Sequence, residues 1–281
     1  MALILPAYAK LNLTLDVTGR RANGYHEIDS VMQTISLHDL VSVERTDCRV
    51  FDVVGPAISG ENLVLKAARE LEGYTGRTLP FTIRLFKRIP MGAGLGGGSA
   101  DAAAFLRAAL ALYELKIPEQ ALLELASAVG QDVPFFLNGG TARATGLGST
   151  LAPLPEFPSN WRFLVICPPI EVATRAVYQA VDEKAPTARR TPALAARLRS
   201  GEGVDAAGFG NDLEATARRV FPALQSAVEP WCKSIAGLQM SGSGAAFYAA
   251  FPGEREARQA LALVAGDGVS AWLCRPVPSW R

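Results

Sequence analysis

Histidine is nearly missing from this chain. His26 and His38 are the only two in 281 residues, too few to expect a zinc site. The four cysteines, Cys48, Cys167, Cys232 and Cys274, are scattered with no CxxC pair. They read as reduced thiols of a cytoplasmic protein, because disulfide frameworks belong to oxidising compartments. No run of 18 apolar residues occurs, and Arg107 interrupts the most apolar helical stretch, so no membrane span is expected. The opening MALILPAYAK has a short apolar run broken by Pro6, with its first basic residue after the run. That is not the pattern of a secretory signal. Neither sign of charge is in excess: Lys plus Arg is 28, Asp plus Glu is 27, and the net charge is +1. That gives no sign of a general nucleic-acid or membrane surface, and any anion site must be local. There is no internal repeat.

What is present is an ordinary globular composition, 49% hydrophobic and 20% charged, and a length that suits about two domains of roughly 150 residues. Lys10 to Val17 alternates polar and apolar residues and predicts a strand. TGRRANGYHEI follows as a turn-rich loop. Residues 41–55 predict one or two strands, 62–72 a helix with Leu63, Ala67 and Leu71 on one face, and 81–89 a strand. A helix is expected from Ala100 to Leu115 with Ser99 as its cap. A second is expected from Pro118, as its first residue, to near Gly130. QDVPFFLNGG, 131–140, reads as a tight loop. The proline-rich PLPEFPSN, 153–160, is the expected boundary between domains 1–155 and 156–281. Beyond it WRFLVICPP predicts a strand, and 174–183, 211–231 and 253–265 predict helices. Residues 184–210 read as a surface excursion with a short helix. LQMSGSGAAFYAAF sets a second glycine cluster at a strand pair. The mixture lacks strict βαβ alternation, which gives an α+β class.

The stretch IPMGAGLGGGSADAA, 89–103, holds five glycines between Gly92 and Gly98. Gly92, Gly94 and Gly97 fit GxGxxG, but no strand with a terminal acid follows the helix, as a dinucleotide fold requires. GxxxxGGS falls one residue short of a Walker A loop, with Gly98 where the lysine belongs. The remaining readings are a phosphate cradle of another design at a helix N-terminus and a tight turn in which glycines allow close packing.

PAYAKLNLTLDVTGRRANGYHEI, IPMGAGLGGGSADAA and QMSGSGAAFYA occur in that order, and together they resemble the GHMP kinases. The first motif is similar to the branch that acts on a cytidine-diphosphate ester of methylerythritol, in the non-mevalonate isoprenoid pathway. The resemblance spans residues 6–249. It implies a two-domain α+β fold, with an N-terminal domain like ribosomal protein S5 domain 2 and a ferredoxin-like C-terminal domain. It also implies ATP and Mg²⁺, with no metal ligand assigned to the chain. The partner implied is a small cytidine-diphosphate substrate, bound with ATP between the domains, and the protein is expected as a monomer or weak homodimer.

By the same resemblance the ATP phosphates lie along Pro90, Met91, Gly92, Ala93, Gly94, Leu95, Gly96, Gly97, Gly98, Ser99 and Ala100, and the adenine side falls at Asn62 and Leu63. Asp132 matches the family's catalytic aspartate, and Lys10 is its partner. Tyr25 and His26 match the pair that reads cytosine, Asn12 matches a substrate contact, and Tyr178 is a candidate for the opposite side of a base sandwich. Many relatives carry a second serine and an asparagine where this chain has Ala100 and Asp101. An acid there would either repel phosphate or help hold Mg²⁺. Ser241 to Gly244 borders the nucleotide site in the family, although such a cluster also serves simply to let two backbones pass closely.

Overall fold

The computed structural model describes residues 2–56, 61–181, 189–264 and 268–280. Its strands are β1 (Ala2–Arg20), β2 (His26–Arg45), β3 (Val50–Val54), β4 (Phe81–Phe86), β5 (Thr141–Gly146), β6 (Thr150–Pro153), β7 (Arg162–Cys167), β8 (Gly210–Asn211), β9 (Gln239–Met240), β10 (Phe247–Phe251) and β11 (Ser270–Cys274). The helices are α1 (Leu63–Thr75), α2 (Gly97–Leu112), α3 (Glu119–Val129), α4 (Val133–Asn138), α5 (Thr174–Gln179), α6 (Arg190–Ser200), α7 (Leu213–Val220), α8 (Pro222–Ser234) and α9 (Glu254–Leu261). The α+β class expected from the sequence is what is found.

The described residues fall into two compact units, neither of them one continuous segment. The first comprises Met1–Ala9, Leu37–Met91 and Gly96–Asn138; the second comprises Lys10–Ser36, Gly92–Leu95 and Gly139–Arg281. The proline-rich stretch at 153–160 lies within the second unit.

In the first unit β3 runs parallel to β4, and β4 pairs antiparallel with the latter half of β2, from Leu40↔Phe86 to Arg45↔Phe81. Helices α1 and α2 pack on each other, with α3 against α1 and α4 against α2. Alanine makes that closeness possible: Ala100, Ala102, Ala103, Ala104, Ala108 and Ala109 of α2 are all buried. Phe81 meets Phe105 and Tyr113 edge-on, at 5.1 and 5.0 Å between ring centres, a favoured aromatic geometry.

In the second unit the first half of β2 pairs antiparallel with β5, from Ile28↔Gly146 to Gln33↔Thr141, and β5 continues to β6. On its other side β2 neighbours β1, and β8 adds parallel to β1 at Thr14 and Leu15. A four-stranded antiparallel sheet, β11-β7-β10-β9, faces a core of Leu164, Ile166, Val177, Leu213, Val228, Trp231 and Phe247. Residues 275–280 lace onto β2. Ser36 N–H donates to Arg275 O at 3.0 Å, Val277 N–H to Thr34 O at 2.9 Å, and Gln33 Nε2 to Val277 O at 3.1 Å. The Trp280 ring fills the space that a Cβ on Gly139 would need.

Several local expectations are corrected. Residues 131–140 are not all loop, because Val133–Asn138 forms α4. Pro134 is tolerated there because it stands in the first turn, where its missing N–H has no partner to lose. Ser99 does not cap α2; that place belongs to Gly96 in the left-handed conformation, φ 73°. Pro118 caps α3 rather than opening it. The expected helix 211–231 is two, because Pro222 starts α8 anew after Phe221. Of the excursion 184–210, residues 190–200 form α6; residues 184–188 and the end of the expected helix 174–183 lie outside the described residues.

Candidate active site

Three left-handed glycines stand ahead of the start of α2. Gly92, Gly94 and Gly96 take positive φ of 65°, 74° and 73°, which L side chains adopt only at a cost. They lead the chain into the sixteen-residue α2, whose Gly96 cap contributes no side-chain hydrogen bond. The first amides of a helix have no partner within it, and its dipole places partial positive charge there. Gly97 and Gly98 are helical, so their role differs. A Cβ at Gly97 would stand 3.0 Å from Ile89 Cγ2, and one at Gly98 3.7 Å from Leu63 Cδ1. Leu63, Gly98, Ser99 and Gly130 are brought together in this unit; Gly130's Cβ position is 3.6 Å from Leu63 Cδ1 and 3.9 Å from Ser99 Oγ.

Asn62 has a plain structural duty. Its Oδ1 caps α1, accepting from Val64 N–H at 2.8 Å and Leu65 N–H at 3.4 Å. Asp132 is half-buried immediately before α4, and Val133, Pro134, Phe135 and Phe136 behind it are buried. Asp101 is turned inward to Lys87, with Oδ2 2.6 Å from Nζ. Among the described residues no group of three His, Cys, Asp or Glu side chains is arranged to hold a metal ion.

The second unit gathers Lys10, Asn12, Ser241 and the loop residues Ala93 to Leu95. Lys10 N–H donates to Leu95 O at 2.9 Å, and Ala246 N–H to Ala93 O at 3.1 Å. Ser241 Oγ donates to Gly94 O at 3.2 Å and accepts from Asn12 N–H at 3.3 Å. A Cβ on Gly94 would collide with Ser241 O, and one on Gly242 would stand 3.0 Å from Gly94 O. Here, then, the glycines of both clusters serve close backbone passage.

Lys10 is 4% exposed. Its Nζ donates to Asn12 Oδ1 at 2.5 Å, and Asn12 Nδ2 to Ser30 Oγ at 2.8 Å. The chain of bonds continues from Ser30 Oγ to Thr14 O at 2.6 Å, and Thr191 Oγ1 bonds Thr14 Oγ1 at 2.8 Å. Thr191 N–H donates to Asp16 Oδ2 at 2.8 Å. Sequence reasoning picked out Lys10 and Asn12 but missed Ser30, Thr14, Thr191 and Asp16. A signal was available: Lys10, Asn12, Thr14 and Asp16 alternate along β1, and all four are buried, whereas the polar face of a half-buried strand ordinarily meets water.

Tyr178 lies against His26, ring centres 5.6 Å apart and tilted by 34°. Tyr25 is 63% exposed. The structure thus pairs Tyr178 with the buried histidine.

Residues 62–140 match the family model described as the GHMP kinases N terminal domain. The chain is 39% identical over 264 residues to the 4-diphosphocytidyl-2-C-methyl-D-erythritol kinase of Burkholderia mallei, covering 91% of this chain and 88% of that one. A crystal structure of 4-(cytidine 5'-diphospho)-2C-methyl-D-erythritol kinase superposes with a TM-score of 0.79 at 37% identity, covering 97% of this chain and 99% of that one. Homoserine kinase from Cytophaga hutchinsonii shares the fold, with a TM-score of 0.73 at 18% identity, covering 99% of this chain and 95% of that one. On identity of this level across nine-tenths of its length, the chain belongs to the GHMP kinase family, in the group of 4-diphosphocytidyl-2-C-methyl-D-erythritol kinases.

Proposed function

We propose that this chain transfers the γ-phosphoryl group of ATP to the 2-hydroxyl of 4-diphosphocytidyl-2-C-methyl-D-erythritol, as a cytoplasmic step of the non-mevalonate isoprenoid route, and acts as a monomer or weak homodimer. The observation that carries the nucleotide half is the start of α2: left-handed glycines lead to amides with no side-chain cap. A phosphate is held well by such fixed dipoles. Pro90 to Ala100 receive the phosphates, and Asn62 and Leu63 flank the adenine. Mg²⁺ bound with the nucleotide supplies charge neutralisation on the phosphates. No cluster of three or more protein ligands is needed for that, because Mg²⁺ commonly takes one or two carboxylates plus substrate phosphates.

Asp132 takes the proton from the attacking hydroxyl, and Lys10 assists by orienting the alcohol. Asn12 holds the Lys10 ammonium in place. Tyr25 stacks on the cytosine, His26 bonds its edge, and Tyr178 closes the opposite side of the base. The run Asn23-Gly24-Tyr25-His26-Glu27 favours this substrate over mevalonate or homoserine, which have no base to stack. The experiment is a coupled ADP-release assay offering all three alcohols. Preferential turnover of mevalonate or homoserine would overturn the assignment. In the same assay Asp132→Asn should lose roughly 10² to 10⁴-fold in kcat, the usual worth of a general base, with ATP affinity unchanged. A mutant that turns over at the normal rate makes Asp132 structural.

A further inference from the structure

Three charged side chains are buried together in the first unit: Asp39 at 0%, Asp101 at 3% and Lys87 at 4% side-chain exposure. Lys87 Nζ binds Asp39 Oδ2 and, at 2.6 Å, Asp101 Oδ2. Asp39, on β2, does more. Its Oδ1 accepts from Arg88 N–H at 2.5 Å and Ile89 N–H at 2.8 Å. Arg88 and Ile89 are the last residues before the glycine loop, and Asp101 is in the first turns of the helix after it. Lys87 Nζ also stands 3.5 Å from where a Cβ of Gly97 would be. One ammonium therefore joins the two stems of the loop across 14 residues of chain. Burying three charges is a poor route to stability, since well-packed apolar residues of like volume commonly do as well or better. What such a cluster supplies at this place is a fixed geometry.

We propose that Asp39, Lys87 and Asp101 form a clamp that holds the stems of the glycine loop in the form that receives nucleotide phosphates, and that Asp101 must carry a proton for that form to bind them best. The inference rests on the reading of the loop as the nucleotide site. The charged groups that face Asp101 are Lys87 and Asp39. With both carboxylates ionised, the cluster keeps a surplus negative charge beside the start of α2, where anions are to be held. A proton on Asp101 removes the surplus. Burial pushes the Asp101 carboxyl up to about 7, against the opposing pull of the Lys87 ammonium and with help from Asp39. Its Oδ1 is buried with no hydrogen-bond partner among the described residues. Burial alone would lower Lys87, but its two carboxylates outweigh that and hold the ammonium above its ordinary value.

The sign follows. The folded pKa is raised, so the stabilising contribution of Asp101 is complete below about pH 4 and is lost as pH rises through about 7. Nucleotide binding draws on the same proton, so affinity should fall over the same window. The test is calorimetric titration of the full chain with a non-hydrolysable ATP analogue from pH 6 to 8, with variants compared in identical buffers so that the ligand's own titration cancels. The unmodified chain should lose roughly tenfold in affinity across that range, within the limit set by a single linked proton. Asp101→Asn should remove that loss and bind at pH 8 as the unmodified chain does at pH 6. Lys87→Met should weaken the analogue about tenfold at every pH, with the cytidine substrate's affinity unchanged. Should Lys87→Met not fold, the near-isosteric Asp101→Asn carries the test alone. Equal pH dependence in the unmodified chain and Asp101→Asn overturns the proposal. Failure of the unmodified chain to bind the analogue at all instead removes the reading of the loop, and the clamp with it.

Discussion

The loop at Gly92–Gly98 and the loop at Arg21–Tyr25 are both marked by the sequence as ligand-facing, yet they are held in opposite ways. The first is tied by its backbone to distant parts of the chain, with Leu95 O, Ala93 O and Gly94 O each accepting a hydrogen bond. The second is held by its own short-range contacts. Arg21 N–H donates to Tyr25 O at 2.7 Å, Gly24 N–H to Arg21 O at 2.9 Å, and Tyr25 N–H to Asn23 Oδ1 at 3.2 Å. It leaves the Tyr25 ring in water. The difference suits the ligands proposed for them. A phosphate offers charge and acceptor oxygens and is held best by donors and dipoles that need no rearrangement. A base offers a face and an edge, and a side chain that swings onto it is sufficient.

The sharpest break of this contrast is Gly94→Ala. The new Cβ meets Ser241 O at a residue already in the left-handed region. The conformational cost of roughly 1–2 kcal/mol and the overpacking cost of roughly 1–3 kcal/mol together reach about 2–5 kcal/mol. That is a large share of the about 5–15 kcal/mol that holds a domain folded. Denaturant unfolding should show it, and an unchanged midpoint would mean that the loop gives way freely.

Tyr25→Ala should leave folding intact and act on one ligand. Stacking is worth roughly 1–3 kcal/mol per base, or about 5- to 150-fold in affinity for the cytidine substrate, with the ATP analogue binding as before. Equal weakening of both ligands would show that this loop supports the site in general rather than the base.

Gly92→Ala should have the smallest effect. Its φ is 65°, but nothing lies within 4 Å of the new Cβ among the described residues. About 1–2 kcal/mol from conformation alone is expected, read as a modest fall in thermal midpoint. A loss as large as that of Gly94→Ala would mean that packing is not what separates the two glycines.

The glycine cluster itself shows how far the sequence could be read. That a helix begins behind it was legible, because an alanine-rich apolar run straight after a set of glycines has strong helix propensity and a clear starting point. Which glycine serves which purpose was not. Gly94 and Gly242 are required by each other across 148 residues, Gly97 by Ile89, and Gly92 by its own φ. Those are tertiary facts that spacing does not contain. Strands β5 and β6 escaped notice because TARATG and TLAP lack the alternating bulky residues that mark a strand; β5 forms because β2 offers it an edge, and β6 because β5 does. Lys10 and Asp132 were singled out through motif resemblance. Lys87 was not singled out, since only the fold brings Asp39 to it from 48 residues away.

The lacing of residues 275–280 onto β2 bears on how the chain is made. Arg275 and Ser36 are 239 residues apart in the sequence and bond in both directions. Synthesis runs from the N-terminus at about 5–20 residues per second, so Ser36 waits roughly 12 to 48 seconds for a partner made 239 residues later. Through that interval part of a long strand stands with its backbone groups unmatched, which is the condition that invites pairing with another nascent chain. This part of the second unit is therefore completed only once Arg275 and Val277 have been made, and its yield in the cell should depend on how well that waiting strand is shielded.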